Sequence, residues 1–119
     1  MALVVYGIPN CDTVKKARRW LEEKGADYRF HDFRKDGLTP EIVDGWMAKV
    51  PWDRLVNRRG TTWRKLSPEE QRISDEAGAK AVMLAHTSVI KRPVFDLGGE
   101  IVVGFSAAEI HSLSEFIDG

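Results

Sequence analysis

Between residues 2 and 33 the hydrophobic period of the chain changes twice, and this restricts the fold more than any other feature. "ALVVY" at 2–6 is a short apolar run rich in β-branched residues, read as a buried first strand ending near Gly7. Residues 11–24 then place Val14, Ala17 and Leu21 on one helical stripe, with Lys15, Arg18, Arg19 and Glu22 elsewhere. Gly25 stands where a left-handed cap closes a helix. "YRFHDF" at 28–33 returns to alternation, Tyr28, Phe30 and Asp32 against Arg29, His31 and Phe33. A strand, a helix and a strand in so short a stretch favour a parallel pair joined by a right-handed crossover.

The rest of the chain supplies more helix and a hairpin. Thr39, Pro40 and Glu41 make a helix start, with Ile42, Val43, Trp46 and Met47 as its apolar face. Residues 51–66 have no clear period, and "RLVNRRGTTWRKL" is basic without a single acid. Ser67-Pro68-Glu69-Glu70 carries an N-cap signature, and the pattern predicts a helix continuing to about Leu84 with a break at Gly78. "PVFDL", Gly98-Gly99 and "EIVVGF" predict a hairpin, because paired glycines supply the positive φ of a two-residue primed turn. Ser106 caps a last helix with Ile110, Leu113 and Ile117 inward. The order is an α/β sandwich of about four strands.

A chain of 119 residues is expected to be one domain, able to bury about two-thirds of the surface it exposes when unfolded. Its 18 basic and 18 acidic residues cancel, so no overall field draws it to nucleic acid or to a membrane. "MALVVYG" lacks both a basic leader and a long apolar span, so neither signal peptide nor membrane helix is expected. Cys11 is the only cysteine and can form no internal disulfide, which favours a reducing, cytoplasmic setting.

Cys11 is the candidate centre of chemistry. It follows a strand and a Pro-Asn turn and stands at the first helical position or the cap itself, where unpaired N–H groups and the positive helix end favour a thiolate. Lys15 lies four residues on, on the same face, and adds a cation. Asn10 is a turn former or an amide that orients the thiolate or its substrate. From these residues alone, Cys11 stays open between a packed core thiol and a nucleophile. Spacing excludes three other chemistries. Val14 occupies the second position of a dithiol motif, Ala17 the arginine position of a phosphatase-like loop, and His31, His86 and His111 are too scattered for a metal site.

"YGIPNCDTVKKARRWLEEKG" at 6–25, together with "IKRPV" at 90–94, resembles the arsenate-reductase-like (ArsC/Spx/YffB) branch of the thioredoxin-fold superfamily. The "NCDT" and "KRP" elements are most similar to YffB-type members, and the resemblance covers nearly the whole chain. It implies a thioredoxin-like α/β fold, βαβ then ββα, with a four-stranded mixed sheet. It also implies one domain over residues 1–119 with a helical insertion at about 38–86. Cys11 matches the nucleophile and Arg92 the arginine beside it, whose planar fork holds an oxyanion or a glutathione carboxylate. Pro93 matches a proline whose peptide bond is cis.

The departures matter equally. Of three arginines used by arsenate reductases of this type, Arg92 matches one. A second falls on Asn57 with Arg58 and Arg59 beside it, and the third falls on Gly104. Arsenate is therefore a doubtful substrate. The expectation is a glutathione-dependent monothiol reductase with Cys11 and Arg92 catalytic and Asn10, Lys15, Arg58, Arg59 and Pro93 binding substrate. No metal and no tightly bound cofactor are expected, glutathione or another small thiol is the co-substrate, and the protein is a monomer. The alternative is an Spx-like regulatory module that docks on a protein such as RNA polymerase.

Overall fold

A computed structural model describes residues 3–119, so Ala2, the first residue of the expected strand, lies outside the described residues. Two compact units divide the chain: one combines residues up to Gly37 with Arg92–Gly119, and the other is Leu38–Lys91.

The first unit holds all four strands. β1 (Val4–Gly7), α1 (Asp12–Glu23) and β2 (Arg29–Asp32) come from the N-terminal part. β3 (Val94–Asp96), β4 (Ile101–Val103) and the closing helix, numbered α6 (Ala107–Asp118), come from the C-terminal part. The sheet order is β2-β1-β3-β4. β1 pairs parallel with β2, Val5 opposite Phe30, and antiparallel with β3, Val5 opposite Phe95; β3 and β4 are antiparallel. The expected strand, helix, parallel strand is present, and so is the hairpin. Gly98 and Gly99 turn it at φ +84° and +134°, angles that side chains with a Cβ rarely adopt. Asp96 Oδ1 accepts from the Gly98 N–H at 2.9 Å and so steadies the turn.

α1 buries Val14, Ala17 and Leu21, the stripe read from the spacing. Ala17 and Leu21 join Val5, Phe95, Val102 and Leu113 in one core, with Trp20, Phe30, Phe105, Phe116 and Ile117 packed against it. Ser106 and Glu109 form a capping box at the start of α6, with Glu109 Oε1 accepting from the Ser106 N–H at 2.7 Å.

The second unit is helical: α2 (Pro40–Met47), α3 (Trp52–Leu55), α4 (Thr61–Arg64), α5 (Glu76–Ala85) and a 3₁₀ turn, Thr87–Val89. Thr39 caps α2 by accepting from the Ile42 N–H, and Val43 and Trp46 are its buried face. The helix expected from Ser67 does not form. Ser67 and Glu70 satisfy each other instead: Glu70 Oε1 accepts from the Ser67 N–H, and Ser67 Oγ from the Glu70 N–H, both at 3.2 Å. That closes a turn and propagates no further. α5 starts at Glu76 under an Asp75 cap, and Gly78, expected as a break, donates to Asp75 Oδ1 at 2.8 Å within the first helical turn. No helix among the described residues is long and apolar enough to cross a membrane.

Candidate active site

The register of the sheet brings the site together. β1 runs from Val4 to Gly7 and leads into the Ile8–Asn10 turn and Cys11. Because Tyr6 pairs with Val94, Arg92 and Pro93 lie just beyond β3 at that same end of the sheet. Val94 also pairs with Val103, so Gly104 follows β4 there as well, and its N–H donates to the Pro93 carbonyl at 2.9 Å. Long-range pairing, not sequence proximity, is what places Arg92 near Cys11.

Cys11 is the N-cap of α1, in extended conformation at φ −86° and ψ 127°. Its N–H donates to the Ile8 carbonyl at 3.2 Å, and its carbonyl accepts from the Lys15 N–H at 2.9 Å, the first bond of the helix. The thiol is half-buried. Burial is the largest influence on its pKa and pushes it up. The Val14 N–H, a hydrogen bond from Arg92, the Thr13 N–H and the Arg92 charge all push it down, and together they prevail: the thiol lies below its ordinary value. Neither N–H forms a cap hydrogen bond of standard geometry to the sulfur, so they act as oriented dipoles of the helix end.

Arg92 is half-buried, and the Arg92–Pro93 peptide bond is cis, as the resemblance implied. Asn10 is exposed in the turn before the cap. Lys15 is exposed and is not among the groups that move the thiol; Arg92 is the cation that does. Val14 is fully buried in α1, so the position of a second redox cysteine is filled by core. Gly104, the position of the third arginine, is buried at φ +95°, a conformation in which any side chain is strained.

Arg58 and Arg59 belong to the second unit, exposed on the turn between α3 and α4. They line a depression there with Arg54 and Lys91. The sequence does not single out Lys91, which reaches that turn only through an isolated antiparallel bridge between Val56 and Ile90. No periodicity or motif announces a pairing of that kind.

The model of the ArsC family matches residues 6–113. The chain belongs to the ArsC family. Among solved structures, an arsenate reductase (ArsC) related protein from Brucella melitensis is 48% identical, with 94% of this chain and 93% of that one covered at a TM-score of 0.76. A protein named YFFB is 45% identical, covering 92% and 96% at a TM-score of 0.87. The global transcriptional regulator Spx 1 of Bacillus cereus is 23% identical over 110 residues, 91% of this chain and 83% of that protein. This ArsC-family chain thus has the arsenate-reductase-like form of the thioredoxin fold, with Cys11 and Arg92 at one end of its sheet.

Proposed function

We propose that this ArsC-family chain is a glutathione-dependent monothiol reductase with Cys11 as nucleophile. The observation that carries this reading is the convergence of Arg92 and the α1 N-terminal N–H groups on the sulfur, which outweighs burial and lowers the thiol pKa. The substrate is a mixed disulfide between glutathione and another thiol. The Cys11 thiolate attacks its glutathione sulfur, the S–S bond breaks, and the other thiol leaves as a thiolate that takes up a proton. Cys11 now carries glutathione in a new disulfide. A second glutathione thiolate attacks the glutathione sulfur of that bond, releasing glutathione disulfide and restoring the Cys11 thiolate. An external thiol has to finish the cycle because Val14 offers no internal one.

Arg92 has two roles in this scheme. Its charge stabilises the attacking thiolate, and its fork can take a glutathione carboxylate. Asn10 orients the thiol, and Pro93 shapes the wall beside it. Monomeric action in a reducing, cytoplasmic setting belongs to the same reading.

A second reading, a regulatory module that binds a protein partner, draws on the likeness to Spx 1. It has no need of a reactive thiol. The test is a glutathione-reductase-coupled assay on a small glutathione mixed disulfide, with wild type and Cys11→Ser compared. Turnover that depends on Cys11 is expected. Equal rates in the two proteins would overturn the reductase reading and leave the regulatory one.

A further inference from the structure

The second unit contains a depression of about 580 Å³, lined by Asp53, Arg54, Asn57, Arg58, Arg59 and Lys91, with Val56 as its only apolar wall residue. That is within the range of about 300–1,000 Å³ typical of small-molecule sites. Its walls are braced. The Asn57 N–H donates to the Val89 carbonyl and the Lys91 N–H to the Leu55 carbonyl, each at 2.7 Å, which fastens Lys91 beside the α3 end. Asn57 Oδ1 accepts from the Arg59 N–H at 3.1 Å and bends the turn that carries both arginines. Arg64 Nη2 donates to the Arg59 carbonyl at 3.2 Å and holds that turn from α4.

The charges in this depression are unbalanced. Four cations face one carboxylate, and among the described residues none of the four is in an ion pair. In a chain whose charges cancel overall, so many uncompensated cations around one depression favour an anion there. Arg58 is also prepared for one. Its guanidinium lies 5.4 Å from the Trp52 ring centroid and 5.7 Å from that of Trp63. The indoles restrict the side chain while its N–H groups remain free to donate as a fork.

The lining also restricts the ligand. The lining is more polar than apolar, and a ligand with one or two charges leaves cations unanswered. Condensed phosphate concentrates several negative charges and acceptor oxygens in a small volume. We propose that the Arg54–Arg58–Arg59–Lys91 depression binds a condensed phosphate, either free or as the phosphate chain of a nucleotide. This goes beyond the thiol chemistry and does not depend on it.

The test is titration of the whole chain with inorganic pyrophosphate, orthophosphate, ADP and glutathione, followed by calorimetry and by tryptophan fluorescence. Trp52 and Trp63 flank Arg58 and should report occupancy. Saturable pyrophosphate binding is expected, tighter than orthophosphate and weakened by added salt. Arg58→Lys keeps the charge but loses the fork and should weaken binding about tenfold, as should Lys91→Ala. Tighter binding of ADP than of pyrophosphate would support the site and name a nucleotide as its ligand; the reverse order would support it and name free condensed phosphate. Absence of saturable pyrophosphate binding, affinity unchanged in both variants, or displacement by glutathione at equal affinity would each overturn the proposal.

Discussion

The Arg92 guanidinium acts on the Cys11 sulfur and draws the thiol pKa down, linking the residue that precedes the cis-proline to the cap of α1. The two meet because β1 and β3 run antiparallel, with Tyr6 opposite Val94. A charged donor at a partly buried sulfur favours the thiolate over the thiol, and this contact opposes the penalty of burial.

Cys11 should react with iodoacetamide with a midpoint below the free-thiol value of about 8.5. Arg92→Ala should raise that midpoint, since it removes the one cation that draws the thiol pKa down. Lys15→Ala should leave it unchanged. Rates of alkylation against pH for the three proteins separate the two cations, and a larger shift from Lys15 than from Arg92 would make the lysine the residue that activates the thiol.

The same depressed pKa ties folding to pH. In the folded protein the thiol ionises at lower pH than in the unfolded chain. The resulting stabilisation is full above the unfolded value of about 8.5 and is lost as pH falls through the folded value. Wild type should therefore gain stability relative to Cys11→Ser as pH rises through that window. Urea unfolding of both proteins at a series of pH values measures it, and a difference that stays flat would show no linkage.

Arsenate should be a poor substrate. Holding a doubly charged oxyanion needs converging guanidinium groups, and one of the family's three positions is Gly104, at φ +95°. Losing one oxyanion donor costs about 10²–10³ in rate. In a glutathione-coupled assay, arsenate turnover should fall below mixed-disulfide turnover by about that factor. Comparable rates would show that another group supplies the missing charge.

Asp75→Ala should cost about 1 kcal/mol of stability, the usual cost of an N-cap whose side chain accepts a helix N–H. Ser67→Ala should cost less, because Ser67 closes a turn and starts no helix. Denaturant midpoints for the two variants separate these cases, and the opposite order would return the helix start to Ser67.

Elements specified by local chemistry were legible in the sequence. Thr39 and Ser106 announce α2 and α6, and Gly98-Gly99 the hairpin. Ser67 and Glu70 misled because their reciprocal side-chain bonds match those of a capping box, whether or not the following residues continue as helix. The spacing to Lys15 identified a residue on the right helix, yet the cation acting on Cys11 comes from a loop 81 positions away that only sheet register delivers. The family resemblance supplied Arg92, which no local pattern could. Lys91 escaped notice for the same reason, since a two-residue bridge leaves no period in the sequence.

The interleaved build of the sheet bears on how the protein is made. β1 lies between β2, which follows it closely, and β3, which lies beyond the whole helical unit. As the chain leaves the ribosome, Cys11 emerges long before Arg92, and β1 waits on one edge for the strand that completes the core around Phe95. Until then the cysteine has no guanidinium beside it. The part of this thiol's acidity that comes from Arg92 is acquired late in biosynthesis, after the part that comes from the start of α1.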